Sequence, residues 1–119
     1  MIQNYTDLEV WNIGMRLAED IYNLTDRLPK EETYGLASQM RRAAVSIPSN
    51  IAEGHRRNHT KEYIQFLYHA LGSTAELETQ LLLTANIHKI RATEETMKNL
   101  EILSRKIGRL IQSLKVSSK

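Results

Sequence analysis

The chain has 119 residues, 41% hydrophobic and 25% charged, which fits one soluble domain with one core and excludes a disordered chain. No apolar run approaches the length of a membrane span, the N-terminus MIQNYTDLEVW lacks a secretion-signal pattern, and no cysteine is present for disulfides or a thiolate zinc site. These features point to a cytoplasmic protein. The net charge of +2 is uneven: residues 86–119 carry 8 basic and 3 acidic side chains, whereas residues 1–30 carry 3 and 5. Such asymmetry suits an anionic partner, although a solvated basic helix explains it as well.

Helical periodicity accounts for nearly the whole chain. A first helix is expected over about 7–27, capped by Thr6 or Asp7. Its two apolar stripes are Trp11, Met15, Ala18 and Tyr22, and Val10, Leu17, Ile21, Leu24 and Leu28. Pro29 ends it. A second helix is expected over about 31–53, with Leu36, Met40, Ala43, Ile47 and Ile51 as core stripe and Gly54 as stop. Pro48 lacks an N–H and crowds the Ala44 carbonyl, so a bend is expected there. A third helix is expected over about 60–85, with a broad apolar face. Gly72 lies inside it, where the usual reason is close approach of another helix. A fourth is expected over about 93–114, capped by Thr93, with Leu100, Leu103, Ile107, Leu110 and Leu114 as a heptad seam and KVSSK as a frayed tail. The fold class is therefore all-α: one domain over residues 1–119, an antiparallel up-down-up-down four-helix bundle. Helices 1 and 3 carry more apolar surface than one small bundle hides, which suggests self-association.

One stretch, QMRRAAVSIPSNIAEGHRR, sets a polar ladder beside the core stripe of helix 2. Gln39, Arg42, Ser46, Asn50 and Glu53 share one sector at 100° per residue. Arg41, Val45, Pro48 and Ala52 point away from it. On helix 3, Glu78 falls in the sector of Leu67, Leu71 and Leu82, while Glu76 and Ser73 lie on another face. A buried carboxylate needs a paired charge, and Arg42 or Arg41 is the natural partner. The ladder reads as a structural network joining helix 2 to helix 3 or to a second subunit, or as a half-exposed edge.

LPKEETYGLASQMRRAAVSIPSNIAEGHRR together with FLYHALGSTAELETQL resembles the four-helix bundle proteins encoded in intervening sequences of bacterial 23S rRNA genes. Arg41, Arg42, Ser46, Asn50 and Glu53 match the first motif, and Gly72, Ser73, Glu76 and Glu78 the second. The resemblance implies a homopentamer of antiparallel bundles. It also implies similarity to the accessory variability proteins of diversity-generating retroelements, pentameric barrels that bind nucleic acid and a reverse transcriptase.

Enzymatic chemistry has little support in the sequence. His55 and His59 are four apart but sit in an expected loop without carboxylates at ligand spacing, so no metal site and no cofactor is expected. No phosphate-cradling glycine motif and no nucleophile–histidine–acid pattern occurs. In an up-down bundle Arg56, Arg57, Arg109, Lys115 and Lys119 share one end, and Arg105 and Lys106 extend that basic character along helix 4. These residues are the candidates for RNA or DNA backbone contact in a non-enzymatic homo-oligomer. The competing reading is an assembly module that binds a protein partner and has no intrinsic nucleic-acid affinity.

Overall fold

The computed structural model describes residues 4–117, which form four helices and no strand. The helices are α1 (Glu9–Thr25), α2 (Leu36–His55), α3 (Thr60–His88) and α4 (Glu94–Ser117). They pack as a four-helix bundle 48 Å long and 24 by 20 Å across. The length is set by α3, whose 29 residues span about 44 Å at 1.5 Å per residue.

Each helix packs on its neighbours in the chain, and α4 closes the ring against α1. Contacts pair rising residue numbers on one helix with falling numbers on the next. On the α1–α2 side, Arg41 meets Thr25, Pro48 meets Gly14 and Arg56 meets Tyr5. Between α2 and α3, Met40 meets Thr84, Ser46 meets Ser73 and Gly54 meets Phe66. Between α1 and α4, Glu9 meets Lys106 and Asp20 meets Thr96. The centre is filled by Leu17, Ile21, Met40, Ile47, Ile51, Leu67, Leu77, Leu103, Ile107 and Ile111, all buried.

Several helix boundaries differ from the sequence expectation, each for a local reason. Residues Tyr5–Asp7 form a short 3-10 turn capped by the Asn4 side chain, and the extended backbone at Leu8 delays α1 to Glu9. Lys30–Glu32 form a second 3-10 turn, so α2 starts at Leu36 and not at 31. Gly35 leaves the helical region at φ −112°, ψ −114°. Glu32 then reaches forward, and its Oε1 accepts from the Leu36 N–H at 3.1 Å, supplying the cap from outside the helix. Gly54 does not stop α2, which continues through it to His55. Asn86, Ile87 and His88 extend α3, which ends where Lys89 turns left-handed at φ 60° and donates its N–H to the Ala85 carbonyl. Thr93 caps α4 as its sequence suggests, accepting from the Thr96 N–H at 3.1 Å. Lys115, Val116 and Ser117 of the expected frayed tail are helical.

The α4 seam also shifts. Leu100, Leu103 and Ile107 are buried, but Ile111 is the next buried residue, and Leu110 and Leu114 are half-buried. A helix of 3.6 residues per turn drifts off a strict seven-residue repeat, and Ile111 takes the inward position.

Candidate interaction surfaces

The polar ladder of α2 divides into three environments. Ser46 and Asn50 form the network expected between α2 and α3. The Ser46 and Ser73 hydroxyls are 2.9 Å apart, and Asn50 Nδ2 donates to both the Ser46 carbonyl and Oγ. Glu53 turns along the helix to an ion pair with Arg57. Gln39 and Arg42 are exposed.

The expected Arg42–Glu78 pair does not form within the chain. Glu78 is exposed, beside the α3–α4 groove that Arg105 lines, and neither Glu78 nor Arg42 has an ion-pair partner among the described residues. The sector of Glu78 lies at the border of the buried face, and the bundle covers only the side that holds Leu67 and Leu77. Glu76 is exposed as well, and its Oε2 meets Gln80 Nε2 at 3.5 Å. Gln80 is nearly buried, and its Oε1 has no donor within the described chain.

Arg41 belongs to a different network from the ladder. Its guanidinium crosses to the end of α1, where Nε donates to Thr25 Oγ1 at 2.7 Å and Nη2 pairs with Asp26 at 2.9 Å. The group also lies 4.4 Å from the Tyr22 ring centre. A cation at the carbonyl end of α1 complements the helix dipole and satisfies polar groups there.

Two open grooves run along the α1–α2 side. One, of about 830 Å³, is lined by Tyr22, Leu28, Lys30, Tyr34, Arg42 and Val45 among others. The second, of about 660 Å³, is lined by Trp11, Met15, Ala18, Tyr22, Val45 and Pro48 among others. They border each other at Tyr22 and Val45. The outer stripe of α1 lines the second groove: Met15 and Tyr22 are exposed there, while Trp11 and Ala18 also pack against the core.

A second unfilled face lies on α3. Tyr68, Leu82, Leu83 and Ile87 are 45%, 55%, 44% and 59% exposed. Gly72 stands within this face, and a Cβ placed there would meet nothing within 4 Å. No helix of the chain makes the close approach expected at Gly72.

The basic residues are largely engaged at the surface by side chains of the same chain. Arg57 pairs with Glu53 and Glu62 and lies over Phe66. Arg105 pairs with Glu101, and Lys106 with Glu9. Arg56 lies over the Tyr5 ring and Lys115 over the Tyr68 ring. Arg56 and Arg109 are exposed and have no ion pair among the described residues. Lys119 lies outside the described residues.

His55 and His88 serve packing and pairing. His55 meets the Tyr63 ring edge-on, and burial holds the Tyr63 phenol above its ordinary pKa. His88 Nε2 lies 2.7 Å from Glu32 Oε2, fastening the end of α3 to the segment before α2. This contact, backed by the Leu36 N–H, holds the Glu32 carboxyl below its ordinary value. Among the described residues, no group of three or more His, Asp or Glu could hold a metal ion, and no helix is long and apolar enough to cross a membrane.

Residues 6–113 match the family model of the 23S rRNA-intervening sequence proteins. The fold is similar to the crystal structure of a protein with unknown function from the S23 ribosomal protein family of Bacteroides thetaiotaomicron. That likeness has a TM-score of 0.68 at 25% identity and covers 88% of this chain and 96% of the other. No curated protein matches the chain.

Proposed function

We propose that this chain, which belongs to the 23S rRNA-intervening sequence protein family, is a non-enzymatic, self-assembling scaffold of the cytoplasm. The rising and falling contact pairs support an antiparallel, up-down-up-down order of its helices. The observation that carries the assembly reading is α3, which is apolar outward as well as inward. Tyr68, Leu82, Leu83 and Ile87 stay in water while Leu67, Leu77 and Leu81 fill the core. Large apolar side chains clustered on the exposed side of a helix mark association surfaces. Resemblance to pentameric relatives suggests five copies. Sedimentation velocity tests the reading: the expected species is several times 13.7 kDa. A single-chain species at every concentration up to about 100 μM, a weak-affinity limit, overturns it.

A second reading, contact with nucleic-acid phosphates, is favoured by one observation. Arg56 and Arg109 are exposed without a carboxylate partner among the described residues, and Lys106, one turn before Arg109, holds Glu9 of the α1 start. Repetition in an oligomer would strengthen such an end. Binding to unrelated RNA or duplex DNA that weakens steeply with salt would support it, and no binding at low salt would remove it.

A further inference from the structure

We infer that residues 29–35, between α1 and α2, form a strap held shut by one latch, the Glu32 carboxylate on His88. Releasing the latch moves one wall of the larger groove while the four helices stay packed. The inference does not depend on assembly.

The strap is weakly held elsewhere. From Asp26 to Leu36 no residue is buried, and Tyr34 is 95% exposed. The backbone bonds of Glu32, Thr33 and Gly35 each reach a carbonyl only three residues back, so they tie the strap to itself. A segment with no buried side chain and only local bonds opens at low free energy. Leu28 packs on the core and anchors the α1 end. Beyond it, Glu32 is the one side chain of residues 29–35 with a hydrogen bond among the described residues.

Glu32 makes two. Its Oε2 meets His88 Nε2 at 2.7 Å, and its Oε1 accepts from the Leu36 N–H at 3.1 Å. One carboxylate thus joins the strap, the first turn of α2 and the last turn of α3. The Glu32 and His88 side chains are only 22% and 19% exposed, so water competes weakly for their bond. Gly35 makes room for this arrangement, since a Cβ there would lie 2.7 Å from Glu32 Oε1. No side chain at Gly35 caps α2, so freeing Glu32 also frees the first turn of that helix. Leu28, Lys30, Thr33 and Tyr34 form the strap side of the groove of about 830 Å³, and α1 and α2 form the rest. The end of α3 and the groove are therefore coupled through one hydrogen bond.

Hydrogen exchange read by mass spectrometry at pH 7 tests this on wild type, His88→Ala, Glu32→Ala and the double variant. Glu31→Ala, an exposed neighbour on the same turn, is the control. In the wild type, peptides covering residues 29–38 should exchange faster than those around Ile47 and Leu77, because the strap opens without global unfolding. In His88→Ala the strap should exchange about tenfold faster still, the scale of one hydrogen bond to a charged group, with the core remaining the slowest part of the chain. The double variant should exchange no faster than Glu32→Ala, since both single changes break the same bond. Glu31→Ala should match the wild type. Strap and core that exchange together in the wild type overturn the inference, as does a strap unchanged by His88→Ala. Additive effects in the double variant, or a His88→Ala chain that loses core protection altogether, overturn it as well.

Discussion

Replacing Gly54 by alanine should destabilise the bundle, although alanine is the better helix former. Gly54 lies inside α2 with ordinary helical backbone, so the substitution gains about 0.8–1.0 kcal/mol of helix propensity. Against this, the new Cβ would sit 2.7 Å from Phe66 Cβ, 3.0 Å from Tyr63 Cδ1 and 3.3 Å from the Tyr63 carbonyl oxygen. Phe66 Cβ is fixed to the α3 backbone and cannot rotate away. The two helices must therefore separate by several tenths of an ångström, and overpacking of this kind costs about 1–3 kcal/mol. The net expectation is a loss of about 1 kcal/mol, or about 4 °C in Tm for a chain of this size. Gly108→Ala in α4 is the matched control, since a Cβ there meets nothing within 4 Å. It should gain about 1 kcal/mol from propensity alone. Urea unfolding at one protein concentration reads both, with the midpoint moving and the slope unchanged. Equal gains in the two variants would refute the claim that Gly54 is required by close helix contact.

Other changes follow from the same structure. Leu77 is fully buried, and Leu77→Ala should cost about 2–5 kcal/mol in urea unfolding. Arg41→Met keeps an apolar stem but removes the bonds to Thr25 and Asp26; a loss of about 1 kcal/mol is expected, and Arg42→Met should lose less. Glu32 has a lowered pKa in the folded chain, so its contribution is present above pH 4.5 and fades as pH falls through the lowered value. Acid unfolding of Glu32→Gln should show a flatter stability profile in that window than the wild type; an identical profile would detach Glu32 from acid stability.

The α2 stripe and most of the α4 seam were legible in the sequence because inward residues recur at helical spacing. The boundaries were less so. A glycine that ends a helix and one that admits a neighbouring helix look alike in sequence, and Gly54 is of the second kind. The start of α2 depends on Glu32 reaching past Gly35, which the pattern of residues 31–53 does not encode. The Ser46–Asn50 part of the ladder was readable because hydrogen-bonding side chains recurred beside the core. Its Arg42–Glu78 extension failed because a sector angle does not tell which side of α3 the bundle covers. Arg41 seemed to point away, yet its long side chain reaches α1. His88 and Glu32 are 56 residues apart, and no local pattern links them. The α1–α2 grooves were visible only as an excess apolar stripe, because a groove needs two helices placed side by side.

The most direct test of the central claim is the light-scattering mass of three proteins at one concentration: wild type, Gly72→Leu and Gly108→Leu. Both glycine sites are open in the single chain, so both variants should fold. If the outer face of α3 is where copies meet, the wild type and Gly108→Leu are multimers of the 13.7 kDa chain, and Gly72→Leu is reduced to the single chain. A wild type that is itself a single chain, or a Gly72→Leu mass equal to that of a multimeric wild type, would contradict the account.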